Sequence, residues 1–229
     1  MGGWNSGHRF TLIYAVSFKS LQESVSTQTT HCEVERSGGV TLLRLISEDG
    51  TNRLTSECVL ALTDIIHNLA QAHRPLVITG NERFFSAGAD LNEIAALTGP
   101  PAYEFSKMGQ DLMNAVEAFP APVCAAIRGY CMGGGLDLAL ACHMRIVHPQ
   151  ATFGHRGAAL GLITGWGGTQ RLPRLIGKSR ALKMFVAAEK LTAAQAFEIR
   201  LVTKVATDPV AAALDLLSGH KAERPGVIA

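Results

Sequence analysis

Two stretches of the chain carry residue types whose spacing suits chemistry on an anion. In RGYCMGGGLDLALACHMRI (128–146), Gly133, Gly134 and Gly135 stand directly before an apolar run that holds Asp137 among Leu136, Leu138 and Leu140. A helix that starts on such a run has unpaired N–H groups and a positive dipole end at its first turn. With no side chain in the way, backbone and ligand can approach closely. A bound anion or an oxyanion that develops during a reaction is the natural occupant. The run fits neither GxGxxG nor GxxxxGKS/T, so phosphate-loop and dinucleotide readings are weak. The plain alternative is that the glycines let a helix pack tightly on a sheet. Asp137 falls in the first helical turn, where the dipole favours a carboxylate and where it can also act as a general acid or base.

The second stretch is FFSAGADL (84–91), a loop with small residues at 86 to 89 that follows a short apolar strand. It can offer another backbone N–H at a strand-to-helix junction, the usual place for ligands in α/β folds. By itself it also reads as a turn in which Asp90 caps the next segment. Two such junctions on successive strand ends make a shared two-donor site the stronger reading.

The elements that must position these residues follow from periodicity. VTLLRLI (40–46) reads as a strand, with turn chemistry at Asp49-Gly50 behind it. Thr55 can cap a helix in which Leu60, Leu62, Ile65, Ile66 and Leu69 recur at helical spacing. PLVIT (75–79), APVCAAI (121–127) and MRIVH (144–148) read as buried strands, and GNERFFSAGAD (80–90) reads as a loop. A helix over 102–119 has Phe105, Met108, Leu112, Met113, Val116 and Phe119 on one face. Beyond Gly161 the chain turns helical, with a brief extended return at 201–205. This alternation gives an α/β class with parallel strands. Residues 1–31 read as a weakly patterned extension, 32–205 as the core, and 206–229 as a short helical tail.

At 229 residues, 47% hydrophobic and 17% charged, the chain has a globular composition. A net charge of +2 gives no argument for a nucleic-acid partner, and no apolar run approaches the ~20 residues of a membrane span. FTLIYAVSF near the start is too short for a span and has no convincing cleavage site behind it. The five cysteines form no CxxC pair and read as reduced core thiols of a cytoplasmic protein. His143, His148 and His155 lie close in sequence without a carboxylate or cysteine at ligand spacing, so no metal site is expected.

FFSAGADL, then APVCAAIRGYCMGGGLDLALACHMRI and ATFGHRGAALGLITGWGGTQRLPRLIG, resemble in order the motifs of the enoyl-CoA hydratase/isomerase (crotonase) family. The resemblance spans roughly residues 35 to 205. It implies a spiral of ββα units with a helical tail, usually assembled as a homotrimer or a hexamer of two trimers. It also implies an acyl-CoA thioester substrate, whose enolate is stabilised by two backbone N–H groups. Position by position, those donors fall on Ala89 and Gly134, and substrate contacts are expected at Ala87, Gly88, Asp90, Gly133, Gly157 and Gly165. No metal or redox cofactor is implied, since CoA belongs to the substrate.

Two departures shape the expected reaction. Hydratases of this family carry two glutamates that hold and activate a water. The first position is Asp137, about 1.5 Å shorter in reach, and a misplacement of ~1 Å can cost around a hundredfold. The second falls on Gly157, which has no acid or base. Arg156 and His155 flank that position: an arginine there can hold a substrate carboxylate and a histidine can shuttle protons. The plainer expectation is that both are solvent-facing strand-end residues. The stretch after Val205 is also short for the helices that close the CoA pocket in this family. Enoyl-CoA hydration, a lyase reaction, is the first expectation. The alternatives are isomerisation, decarboxylation or thioester hydrolysis with one carboxylate, or acyl-CoA binding without catalysis. An RNA-binding branch of the family exists, but no lysine-rich helix here supports that role.

Overall fold

The computed structural model describes residues 26–219. Strands β1 (Thr27–Gln28) and β2 (Cys32–Ser37) run antiparallel at one edge of a sheet. The sequence-based boundary at residue 31 therefore falls between two paired strands, and residues 1–25 of the expected extension lie outside the described residues.

Next come β3 (Val40–Leu45), β4 (Arg53–Leu54) and α1 (Ser56–Ala70), the last capped as expected by the Thr55 hydroxyl, which accepts from the Cys58 N–H at 3.2 Å. The chain continues through β5 (Leu76–Thr79), β6 (Phe84–Ser86), β7 (Gly88–Ala89), α2 (Leu91–Ala95) and α3 (Pro100–Glu117). Then follow β8 (Val123–Ile127), β9 (Tyr130–Met132) and α4 (Gly134–Ala141), and after them β10 (Met144–Val147) and β11 (Thr152–Gly154). A 3-10 turn at Gly157–Leu160 leads into α5 (Gly168–Ile176) and α6 (Lys178–Val186). The described part ends with β12 (Lys190–Thr192), α7 (Ala193–Glu198), β13 (Lys204–Val205) and α8 (Pro209–Ser218).

The large sheet has the order β1-β2-β3-β5-β8-β10-β13 and is parallel from β3 onward. A smaller sheet, β12-β11-β9-β6, and a β4-β7 pair lie beside it. The chain repeats one move: a strand of the large sheet, a strand of a smaller one, then a helix, as in β3-β4-α1, β8-β9-α4 and β10-β11-α5. This is the expected spiral of ββα units. The expected loop at 80–90 differs, because it contains β6 and β7. Strands of two or three residues are too short to show a period-2 signal.

Alternation along the large sheet divides the core in two. Leu43, Leu45, Leu76, Ile78, Ala125 and Ile127 face the helices of the spiral, while Leu42, Val77, Cys124, Ala126 and Ile146 face the other way. That second face is covered by Ala213 and Leu217 of α8, so the expected C-terminal tail supplies a wall of the core.

Every residue of α4 is buried. Its last turn is held by Arg145 on β10, itself only 4% exposed, whose guanidinium donates to the carbonyls of Ala139 (3.1 Å), Cys142 (2.8 Å) and Leu201 (2.7 Å). A cation suits the carbonyl end of a helix, although burial lowers the arginine's pKa. All five cysteines are buried and unbridged. Burial pushes the Cys58 and Cys124 thiols up to about 12, which leaves them unreactive. Replacing Arg145 by leucine strands these carbonyls in a dry core, where each unpaired group costs about 1–3 kcal/mol. Arg145→Leu is therefore expected to lose at least ~3 kcal/mol in urea unfolding at unchanged m-value. A loss below ~0.5 kcal/mol would show that α4 does not depend on it.

Candidate active site

The site forms where β7, β9 and α4 meet. Gly133 precedes α4 with φ of +50°, a conformation that favours glycine, and turns the chain from β9 into the helix. Gly134 is the first helical residue, so its N–H has no acceptor within the helix. A Cβ on Gly134 would lie 3.2 Å from the Ala89 amide nitrogen, and one on Gly88 would lie 3.0 Å from the Gly134 nitrogen. The Ala89 and Gly134 backbones are thus adjacent, and both residues line a cavity of about 660 Å³.

Trp166 is wedged behind this pair. A Cβ on Gly134 would come within 2.5 Å of the indole, and one on Gly109 of α3 would overlap its other end. The indole N–H donates to the Phe105 carbonyl at 3.2 Å. Arg171, 8% exposed, donates to the Trp166 carbonyl (3.3 Å), to Glu117 (2.6 and 3.0 Å) and to Asn114 (2.8 Å), fixing the 164–168 segment to α3.

Asp137 projects from the first turn of α4 and is 1% exposed. Its Oδ2 accepts a short hydrogen bond from the Thr164 hydroxyl. Its Oδ1 lies 3.0 Å from Nε2 of His155, which is 4% exposed and packs on the Phe185 ring of α6. The two atoms are within ion-pair distance but out of line for a hydrogen bond, and neither has another partner among the described residues. The expectation that His155 faces solvent is therefore corrected: the residue that follows β11 is buried against Asp137. Arg156, the next residue, is exposed at the cavity wall.

Of the residues expected from the sequence, Ala87, Ala89, Gly133, Gly134, Asp137, Gly157 and Gly165 line the cavity. Gly88 and Asp90 do not. Gly88 packs its backbone against the Met132 carbonyl, where a Cβ would stand at 2.6 Å. The Asp90 carboxylate is turned to its own helix. It caps α2 by accepting from the Asn92 and Glu93 N–H groups at 2.8 and 3.2 Å, and it pairs with Arg53 at 3.2 Å. Gly157 lines the cavity but is sterically closed, since a Cβ there would lie 2.7 Å from the Leu162 carbonyl. Sequence reasoning missed Thr164 and Trp166, both inside the TGWGG run, whose polar and aromatic members were the available signal. The rest of the wall is apolar, with Leu91, Ile94, Leu97, Phe105, Leu162 and Ile163 prominent.

A ββα spiral with two adjacent backbones, at Ala89 and Gly134, in the wall of a largely apolar cavity defines the class of α/β protein to which the chain is compared. The profile of the enoyl-CoA hydratase/isomerase family matches residues 35–215, and the chain belongs to that family. It is 37% identical over 175 residues to a crotonyl-CoA hydratase of Syntrophomonas wolfei, covering 75% of this chain and 67% of that protein. It is 43% identical over 136 residues to a probable enoyl-CoA hydratase of Bacillus subtilis, covering 59% of this chain and 53% of the relative. The chain thus spans about half the length of the latter. Among solved structures, DspI of Pseudomonas aeruginosa superposes with a TM-score of 0.80 at 35% identity, over 84% of this chain and 75% of DspI.

The wedge can be tested directly. With Trp4 replaced by phenylalanine, Trp166 is the remaining tryptophan of the chain. In that background Gly109→Ala is expected to displace the indole, red-shift its fluorescence and cost about 1–3 kcal/mol from overpacking. An unchanged spectrum and stability would contradict the wedge.

Proposed function

We propose that the protein acts on acyl-CoA thioesters, with the Ala89 and Gly134 amides holding the thioester oxygen as it gains enolate charge. The observation that carries this reading is the adjacency of those two backbones in the cavity wall. Removing one donor of this kind costs about 3–4 kcal/mol of transition-state stabilisation. The apolar wall around Leu91, Ile94 and Leu162 suits an acyl chain. Hydration of a 2-enoyl-CoA is the first reaction, supported by the names of the relatives. Asp137 supplies the negative charge of the acid–base group. Proton transfer at a carbon next to a thioester needs neither a metal nor a redox cofactor, so CoA enters only as part of the substrate.

The closed position of Gly157 favours a second set of reactions, those that move a single proton: double-bond isomerisation, decarboxylation of a malonyl-type thioester, or thioester hydrolysis. The working form is a homotrimer or hexamer, a reading supported by exposed Leu182, Val186 and Phe197 on α6 and α7. No helix among the described residues is long and apolar enough to cross a membrane. A cytoplasmic setting fits the five unbridged thiols.

Incubation with a panel of enoyl-, dienoyl- and malonyl-type CoA thioesters, with products followed by mass spectrometry, tests the reading. A gain of one water on an enoyl-CoA, falling at least ~100-fold in Asp137→Asn, is the expected result. Loss of carbon dioxide or release of free CoA would reassign the reaction. Binding without turnover would leave an acyl-CoA binder, and no binding at all would end the thioester reading.

A further inference from the structure

We propose that His155 is the proton carrier of this site and that Asp137 orients it and balances its charge, so that the pair replaces the second carboxylate that Gly157 cannot provide. The inference rests on the thioester reading above and adds a catalytic residue to it.

The first support is steric. The loop after β11 is built around a glycine: the Gly157 carbonyl accepts from the Leu162 N–H at 2.8 Å, and any Cβ at 157 runs into the Leu162 carbonyl. A second acid or base therefore has to come from another position. The second support is the occupancy of the Asp137 oxygens. Oδ2 takes the Thr164 hydroxyl, and Oδ1 is sealed from solvent against His155 Nε2. The backbone of Gly168, the first residue of α5, closes over the same two atoms: a Cβ there would strike Oδ1 and reach Nε2 at 3.0 Å. Asp137 is thus poorly placed to receive a substrate proton itself.

The third support is the free end of the ring. His155 lines the cavity, and among the described residues its Nδ1 takes part in no side-chain hydrogen bond, while Nε2 is sealed. A carboxylate 3.0 Å from one imidazole nitrogen balances the charge of an imidazolium that forms when the other nitrogen takes a proton. Among the described residues the other ionisable side chain on the cavity wall is Arg156, while α5 and α6 present Gly168 and Phe185 to the ring.

The step balances with one carrier. Neutral His155 holds its proton on Nε2, facing Asp137. As a water oxygen bonds to C3 of the enoyl thioester, one water proton passes to Nδ1, and the C2–C3 π pair shifts to give an enolate oxygen at the Ala89 and Gly134 amides. When the enolate collapses, C2 takes the proton from Nδ1. One water has been added, the imidazole is neutral again, and no second acid or base has been used. The same carrier can move a proton between two carbons in an isomerisation.

The test compares wild type, His155→Gln and His155→Ala on but-2-enoyl-CoA, and follows C2 proton exchange of butanoyl-CoA in deuterium oxide. Thermal melting and butanoyl-CoA binding confirm that each variant is folded and competent. His155→Gln is expected to lose ~100- to 10,000-fold in kcat with little change in KM, and to lose the pH-dependent limb of the rate profile. Imidazole added to His155→Ala is expected to restore part of the turnover and exchange. Wild-type kcat and pH profile in His155→Gln would overturn the proposal while leaving the thioester reading in place. A folded His155→Ala that imidazole cannot rescue would also overturn it, by reducing His155 to a packing role. A wild type inert in both turnover and exchange would overturn both.

Discussion

The structure depends on one close approach: the first turn of a fully buried helix must touch the end of a neighbouring strand with no side chain between them. Gly134 meets this requirement. Its backbone lies beside the Ala89 amide on one side and the Trp166 indole on the other, and a methyl group would disturb both contacts. The rest of the site is arranged around that contact. Arg145 holds the carbonyl end of α4, and Arg171 with Glu117 holds the segment that carries Trp166. The helix is thereby held at both ends, and its positive end is kept at a fixed point in the cavity wall. A preorganised dipole of this kind does not have to reorganise when charge develops in front of it.

The same economy of space shapes the wall around Asp137. In a wall so tightly packed, one glycine that approaches a carbonyl removes a whole side-chain position, as Gly157 does against Leu162. Burial then decides which remaining groups interact. Asp137 and His155, from α4 and the end of β11, are both almost completely withdrawn from water and stand 3.0 Å apart. Charge in such a place is tolerated only with a partner beside it. Thiols elsewhere in the core show the cost of burying a charge: desolvation pushes the Cys58 and Cys124 sulfurs up to about 12.

Much of the frame was legible because its signals are long or chemically distinct. Thr55 read as a cap, the amphipathic face of α3 read as a helix, and the three glycines before an apolar run read as the start of a buried helix. The smaller strands were not legible: β6, β7, β9 and β11 are two or three residues each, below the length at which alternation shows. Asp90 could be read as a cap or as a ligand contact, and only the direction of its carboxylate separates the two. His155 was misplaced on the surface because a single polar residue after a short strand carries no burial signal. Its environment is made by α4, α5 and α6, which are distant in sequence. Local pattern reveals caps and periodic faces, whereas a buried polar pair built from remote segments appears only once the packing is known.

In the proposed function, two backbone amides, Ala89 and Gly134, grip the thioester oxygen. This grip is tested most directly by the carbonyl stretch of bound butanoyl-CoA labelled with carbon-13 at C1, read as an isotope-edited Raman difference spectrum. Hydrogen bonding at the oxygen weakens the C=O bond, so the account predicts a band at clearly lower frequency in the complex than for the same thioester in water. A bound thioester whose carbonyl band stays at its aqueous frequency, or rises above it, would show that the oxygen is not held there and would contradict the account.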